Sequence, residues 1–113
     1  MKLINKTKNT ILAESVLVAQ TITSRMKGLL GRKDFPPGEA LLIKPCNSIH
    51  TFFMRFPIDV LFVDKNNKVI KALSSIKPFR LSNIYFHARS AIEFPAGTLE
   101  SSSTQEGDTL ILA

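Results

Sequence analysis

Cys46, His50 and Asp59 are the residue types of a nucleophilic triad. In such a triad a thiolate attacks, an imidazole carries the proton and a carboxylate orients the imidazole, each within about 3 Å of the next. Spacing argues against that use here. In an extended chain the four steps from Cys46 to His50 span roughly 13 Å, and Pro45 disfavours the helical turn that would close the gap. No catalytic residue is assigned on this basis, and Cys46 reads as a small, partly buried apolar side chain. Cys46, His50 and His87 could begin a metal site, but the paired Cys-x-x-Cys spacing of structural zinc is absent and Asp59 or Glu93 would have to complete the set. We expect no metal and no cofactor. Neither glycine-rich phosphate-loop pattern occurs around Gly28 and Gly31, so nucleotide binding through those motifs has no support.

A richer set is Arg25, Arg32, His50, Arg55, Asp59 and Glu93. Arg25 and Arg32 are seven residues apart, and a continuous helix would put both on one side. Two guanidinium groups there could grip a carboxylate or phosphate bidentately. His50 would be a switchable donor and Asp59 would orient one of these groups. We expect a ligand-binding site at Arg25, His50, Arg55 and Asp59, supported by Arg32 and Glu93. The competing use is structural: the two arginines pair with Asp59 and Glu93 and pin a helix to a sheet.

These residues need elements to hold them. Short apolar runs rich in β-branched residues predict strands at 2–5, 11–18, 40–44, 48–54, 58–63, 69–75, 91–94 and 109–112. Asp64 and Asn66–Asn67 before Val69 predict a hairpin turn. Along 58–63, alternation puts Asp59, Leu61 and Val63 on one face and Ile58, Val60 and Phe62 on the other. Both faces are apolar, so that strand is expected to be central and buried. Asp59 is its anomaly, a carboxylate that must find hydrogen bonds. One short helix is expected over 25–30, capped by Thr23 or Ser24 and ended by a left-handed Gly31, with Gly28 an unfavourable interior residue. Gly97 and Gly107 are expected at positive φ.

The chain has 113 residues, of which 44% are hydrophobic, and a net charge of +6. Length and composition fit one folded domain, 1–113, and exclude wholesale disorder. No apolar run reaches the roughly 18 residues of a membrane-spanning helix. The first ten residues lack the apolar core of a secretory leader, and a single cysteine forms no internal disulfide, so a cytoplasmic protein is expected. Residues 1–57 hold nine Lys and Arg against three acids, whereas 58–113 hold six of each sign. A basic half can attract nucleic acid. However, Phe52, Phe53, Phe56 and Phe62 fall in expected strands, where they would be core rather than stacking platforms.

The motifs Thr23-x-Arg25-x-x-Gly28-Leu29-x-x-Arg32, Ile49-His50-Thr51-x-x-Met54, Pro57-Ile58-Asp59-Val60-x-Phe62-x-Asp64, Glu93-x-Pro95-Ala96-Gly97 and Gly107-Asp108 occur in that order. Their combination resembles the prokaryotic domain-of-unknown-function family 192, over roughly residues 10–113. The resemblance implies a compact, mostly β fold and no established activity. Phe52-Phe53-Met54 and Arg55-Phe56 depart from the family's common Phe-Trp-Met and Lys-Asn-Thr, so no role of that Trp or Asn carries over.

Taken together, the sequence predicts a mainly β fold, a small antiparallel barrel or sandwich with one short helix. The function expected is a non-catalytic module for a small polar or anionic ligand or a protein segment. The alternatives are an enzyme pairing a buried carboxylate, Asp59 or Glu93, with His50 as acid, and a nucleic-acid binder using the basic half.

Overall fold

The computed structural model describes residues 1–21, 24 and 28–113. Its strands are β1 (Leu3–Asn5), β2 (Thr10–Ala13), β3 (Ser15–Ala19), β4 (Glu39–Ile43), β5 (Ile58–Val63), β6 (Val69–Ile76), β7 (Ser90–Pro95) and β8 (Leu110–Leu112); one helical turn, α1 (Thr98–Ser101), precedes β8. A five-stranded sheet runs in the order β3-β4-β7-β5-β6 and a three-stranded sheet in the order β2-β1-β8. The fold is mainly β and sandwich-like. All strand pairs are antiparallel except β3 with β4, which run parallel.

Side-chain alternation divides the core in two. Leu42, Leu61, Val63, Ile92 and Phe94 leave one face of the large sheet and pack with Leu3, Leu12, Leu110 and Leu99, so the small sheet and α1 cover that face. Leu41, Ile43, Ile58, Val60, Phe62 and Ala91 leave the other face. Their cover is irregular chain: Leu29, Phe35, Ile49, Met54 and Ala88. β5 is buried at every position, as its two apolar faces required. The β5–β6 turn forms at Asp64, whose Oδ1 accepts from Asn66 N–H (2.8 Å) and Lys68 N–H (3.0 Å). Among the described residues no helix is long and apolar enough to cross a membrane.

Three local expectations are corrected. The run 11–18 is not one strand. It breaks at Glu14, where Glu14 and Ser15 both donate to the Gly38 carbonyl (2.8 and 3.0 Å), and the chain passes from the small sheet to the large one. The run 48–54 is not a strand at all. Phe53 takes a left-handed conformation (φ 63) and only His50 makes an isolated bridge, to Leu81. As a result Phe52 and Phe53 are exposed, not core, while Phe62 is fully buried. Finally, Gly28 is not a helix-interior residue: its φ is 44, and its N–H donates to the Ser24 carbonyl at 3.0 Å. Gly31 is left-handed as expected (φ 79), as are Gly97 and Gly107 (φ 99 and 94). The expected Thr23 cap and Arg25 lie outside the described residues.

Candidate functional site

β7 lies in the middle of the large sheet, and its one charged side chain, Glu93, stands between Leu41 of β4 and Val60 of β5. Alternation turns Glu93 to the face covered by irregular chain, the face of Ala91. Only 4% of the residue is exposed. No hydrogen bond or ion pair reaches its carboxylate among the described residues. Burial pushes its carboxyl up from the ordinary 4.5 to about 7, because a charge loses water and gains nothing in return.

Glu93 opens onto a pocket of about 350 Å³. Residues 28–30 and 46–50 line it, with Ile43, Pro45 and Met54 completing the apolar lining. No fully enclosed side-chain nitrogen or oxygen lacks a partner among the described residues, so the unpaired Glu93 oxygens are in contact with the pocket space. The 46–50 segment brings polar groups: Cys46, Asn47, Ser48 and His50. The half-buried Cys46 thiol donates to the Ser48 carbonyl (3.0 Å). His50 is exposed at the edge, its ring stacked on Phe52 at 5.2 Å. Its Nδ1 accepts from Phe52 N–H (3.3 Å), which leaves Nε2 as the proton-bearing nitrogen of the neutral ring.

The remaining expected site residues go elsewhere. Asp59 pairs with Phe94 across the sheet and so points to the face opposite Glu93. Its carboxylate is buried and fully engaged by backbone: Oδ1 accepts from Ser75 N–H (2.8 Å), and Oδ2 from Gly97 N–H (3.1 Å) and Leu99 N–H (2.9 Å). It thereby holds the start of α1 against the sheet. Arg32 pairs with Glu39 (3.1 Å), not with Asp59 or Glu93, and lies over the Phe35 ring at 5.5 Å. Arg55 is exposed and lines no part of the pocket. Thus His50 and Glu93 meet at one pocket with Cys46, whereas Asp59, Arg32 and Arg55 do not join them. Among the described residues no three His, Cys, Asp or Glu side chains are grouped to hold a metal ion. Sequence reasoning missed Asn47 and Ser48 as lining residues and ranked Glu93 as support for the ligand site, with a role as base only in the enzyme alternative. The signal for Glu93 was present: an acid inside the apolar run 91–94 is the same anomaly that singled out Asp59.

Comparison with known proteins covers nearly the whole chain. The family model DUF192, described as Uncharacterized ACR, matches residues 3–112. The UPF0127 protein of Pyrococcus horikoshii is 34% identical, with 96% of each chain covered. The UPF0127 protein of Pyrococcus furiosus is 32% identical, over 96% of this chain and 95% of its own. The crystal structure of a protein of unknown function from Novosphingobium aromaticivorans superposes with a TM-score of 0.85 at 17% identity, over 99% of this chain and 84% of that one. That likeness is one of fold.

Proposed function

This chain belongs to the uncharacterised DUF192 family, and we propose that within it the chain acts as a non-catalytic cytoplasmic module binding a small polar ligand in the Glu93 pocket. The observation that carries this reading is the buried Glu93 carboxyl, without a hydrogen-bond or ion-pair partner among the described residues, at a pocket of about 350 Å³. That volume is at the small end of ligand sites, which are apolar cavities with a few placed polar groups. An unpaired acid in such a place favours a ligand that brings a hydrogen-bond donor or a cation, such as a primary amine. The ligand's charge then replaces the water that burial removed. Once protonated, Glu93 becomes a donor and accommodates a carboxylate instead, so the anionic-ligand expectation is retained below about pH 7. Affinity for an amine rises with pH through that value, and affinity for an anion falls.

A thermal-shift panel of amines, polyols and small carboxylates on wild type and Glu93→Gln tests this. A ligand at about a hundred times its dissociation constant adds about 2.7 kcal/mol, on the order of 10 °C for a chain of this size. The reading requires a hit that the variant loses; a panel without any shift contradicts it.

One observation favours a second reading. A carboxyl that titrates near 7 is suited to general-base work, and His50 lines the same pocket as a candidate acid. Turnover of a pocket ligand, abolished by Glu93→Gln with binding retained, would move the assignment to an enzyme.

A further inference from the structure

Residues 46–51, which include the 46–50 lining of the pocket, run beside residues 79–85. Tyr85 N–H donates to Asn47 O (2.8 Å), Ser82 N–H to Ile49 O (2.9 Å), Thr51 N–H to Arg80 O (2.9 Å) and Phe79 N–H to Thr51 O (2.9 Å). The fully buried Thr51 locks the pair: its hydroxyl donates to Lys77 O (2.6 Å) and accepts from Arg80 N–H (2.9 Å). These segments and the residues next to them expose several large apolar side chains. Phe53 is 74% exposed, Leu81 71% and Phe86 83%, and Phe52, Phe79 and Ile84 are exposed as well. Phe53 and Phe79 both sit at φ 63, a conformation that bulky residues rarely adopt, and their rings meet edge to face at 5.7 Å. Apolar side chains gathered on exposed loops mark a contact surface.

The charges around them select the partner. No acid occurs between Glu39 and Asp59, or between Asp64 and Glu93. Arg55, Lys77 and Arg80 lie on these loops, exposed, and form no ion pair among the described residues. The partner is therefore anionic at its surface and apolar beneath. A single-stranded nucleic acid supplies the charge, but Leu81 and Ile84 have no ring on which a base can stack. An anionic bilayer supplies both, phosphates for the cations and the acyl boundary for the phenyl and aliphatic tips. We propose that the loops 50–56 and 77–87 seat this protein on an anionic lipid surface, with Phe53, Leu81 and Phe86 entering the headgroup–acyl boundary and Arg55, Lys77 and Arg80 meeting lipid phosphates.

Co-sedimentation with vesicles tests it, using equal parts phosphatidylcholine and phosphatidylglycerol beside phosphatidylcholine alone. The full chain is expected to bind the anionic vesicles about tenfold or more tightly than the neutral ones, and less as salt rises. Phe53→Asn with Leu81→Ser should weaken binding about tenfold or more with the fold intact by circular dichroism, since asparagine accepts a positive φ and both side chains face solvent. Phe86→Ser alone is a second, milder variant should that pair fail to fold, and a severalfold loss is expected. Absence of binding to anionic vesicles, or binding that neither set of substitutions weakens, overturns the proposal. So does capture of a labelled single-stranded oligonucleotide by protein that does not bind vesicles.

Discussion

Asp59 and Glu93 are two buried acids one strand apart, and their environments give them opposite roles. Asp59 accepts three backbone N–H groups, so its charge is compensated. Removing it in Asp59→Ala strands the donors of Ser75, Gly97 and Leu99, at a cost of roughly 3 kcal/mol or more. The urea midpoint should fall accordingly, while any ligand affinity of the surviving folded protein is unchanged, because Asp59 faces away from the pocket. Among the described residues Glu93 has no such compensation. Its folded pKa is raised from 4.5 to about 7. The folded state therefore binds the extra proton, and stability present below about 4.5 declines as pH rises to about 7, then levels off. At about 1.4 kcal/mol for each pH unit of separation, the decline is about 3 kcal/mol. Glu93→Gln should flatten denaturation midpoints across that window and leave the variant the more stable protein at pH 8.

At the scale of elements, the sequence showed what each strand contains but not what each strand faces. The strands at 58–63, 69–75 and 91–94 and the turn at Asp64 were legible, since alternation and turn chemistry are local signals. The register that sets Val60, and not Asp59, opposite Glu93 is not local. That one-residue difference separates two acids that the sequence grouped together. The run 48–54 misled for a similar reason. Its composition suits a strand, but Thr51 spends its hydroxyl on a loop about thirty residues away and Phe53 turns left-handed. The one helical turn described, α1, falls where the sequence predicts no helix, because the carboxylate that holds its first turn arrives from β5. Thr51→Val tests the loop pairing. Losing both hydroxyl hydrogen bonds should cost about 1–3 kcal/mol, and the Arg80 and Phe79 amides should exchange with solvent faster while those of β5 keep their protection.

Viewed whole, the large sheet has one closed face and one open to chemistry. The small sheet and α1 seal the first, where Asp59 is consumed as structure. Asp108 helps close that end. Burial alone would raise its carboxyl, but hydrogen bonds from Asn5, Gln105 and Lys8 prevail and hold it below its ordinary value. Its contribution is present above about 3.8 and is lost as pH falls through its lowered value, so Asp108→Asn should destabilise the protein most at neutral pH and little in strong acid. Irregular chain covers the second face and leaves the Glu93 pocket. Fold and family were legible in the ordered motifs. The site was legible only in part, since a buried acid announces itself in a strand but its neighbours across the sheet do not. Glu93 is an acid without compensation among the described residues at that pocket, and carbon-13 NMR titration of its carboxyl measures this directly. A midpoint near 7 that moves down when an amine hit is added is the expected result. A midpoint near the ordinary 4.5 would mean that water or a partner already satisfies the carboxylate, and would contradict it.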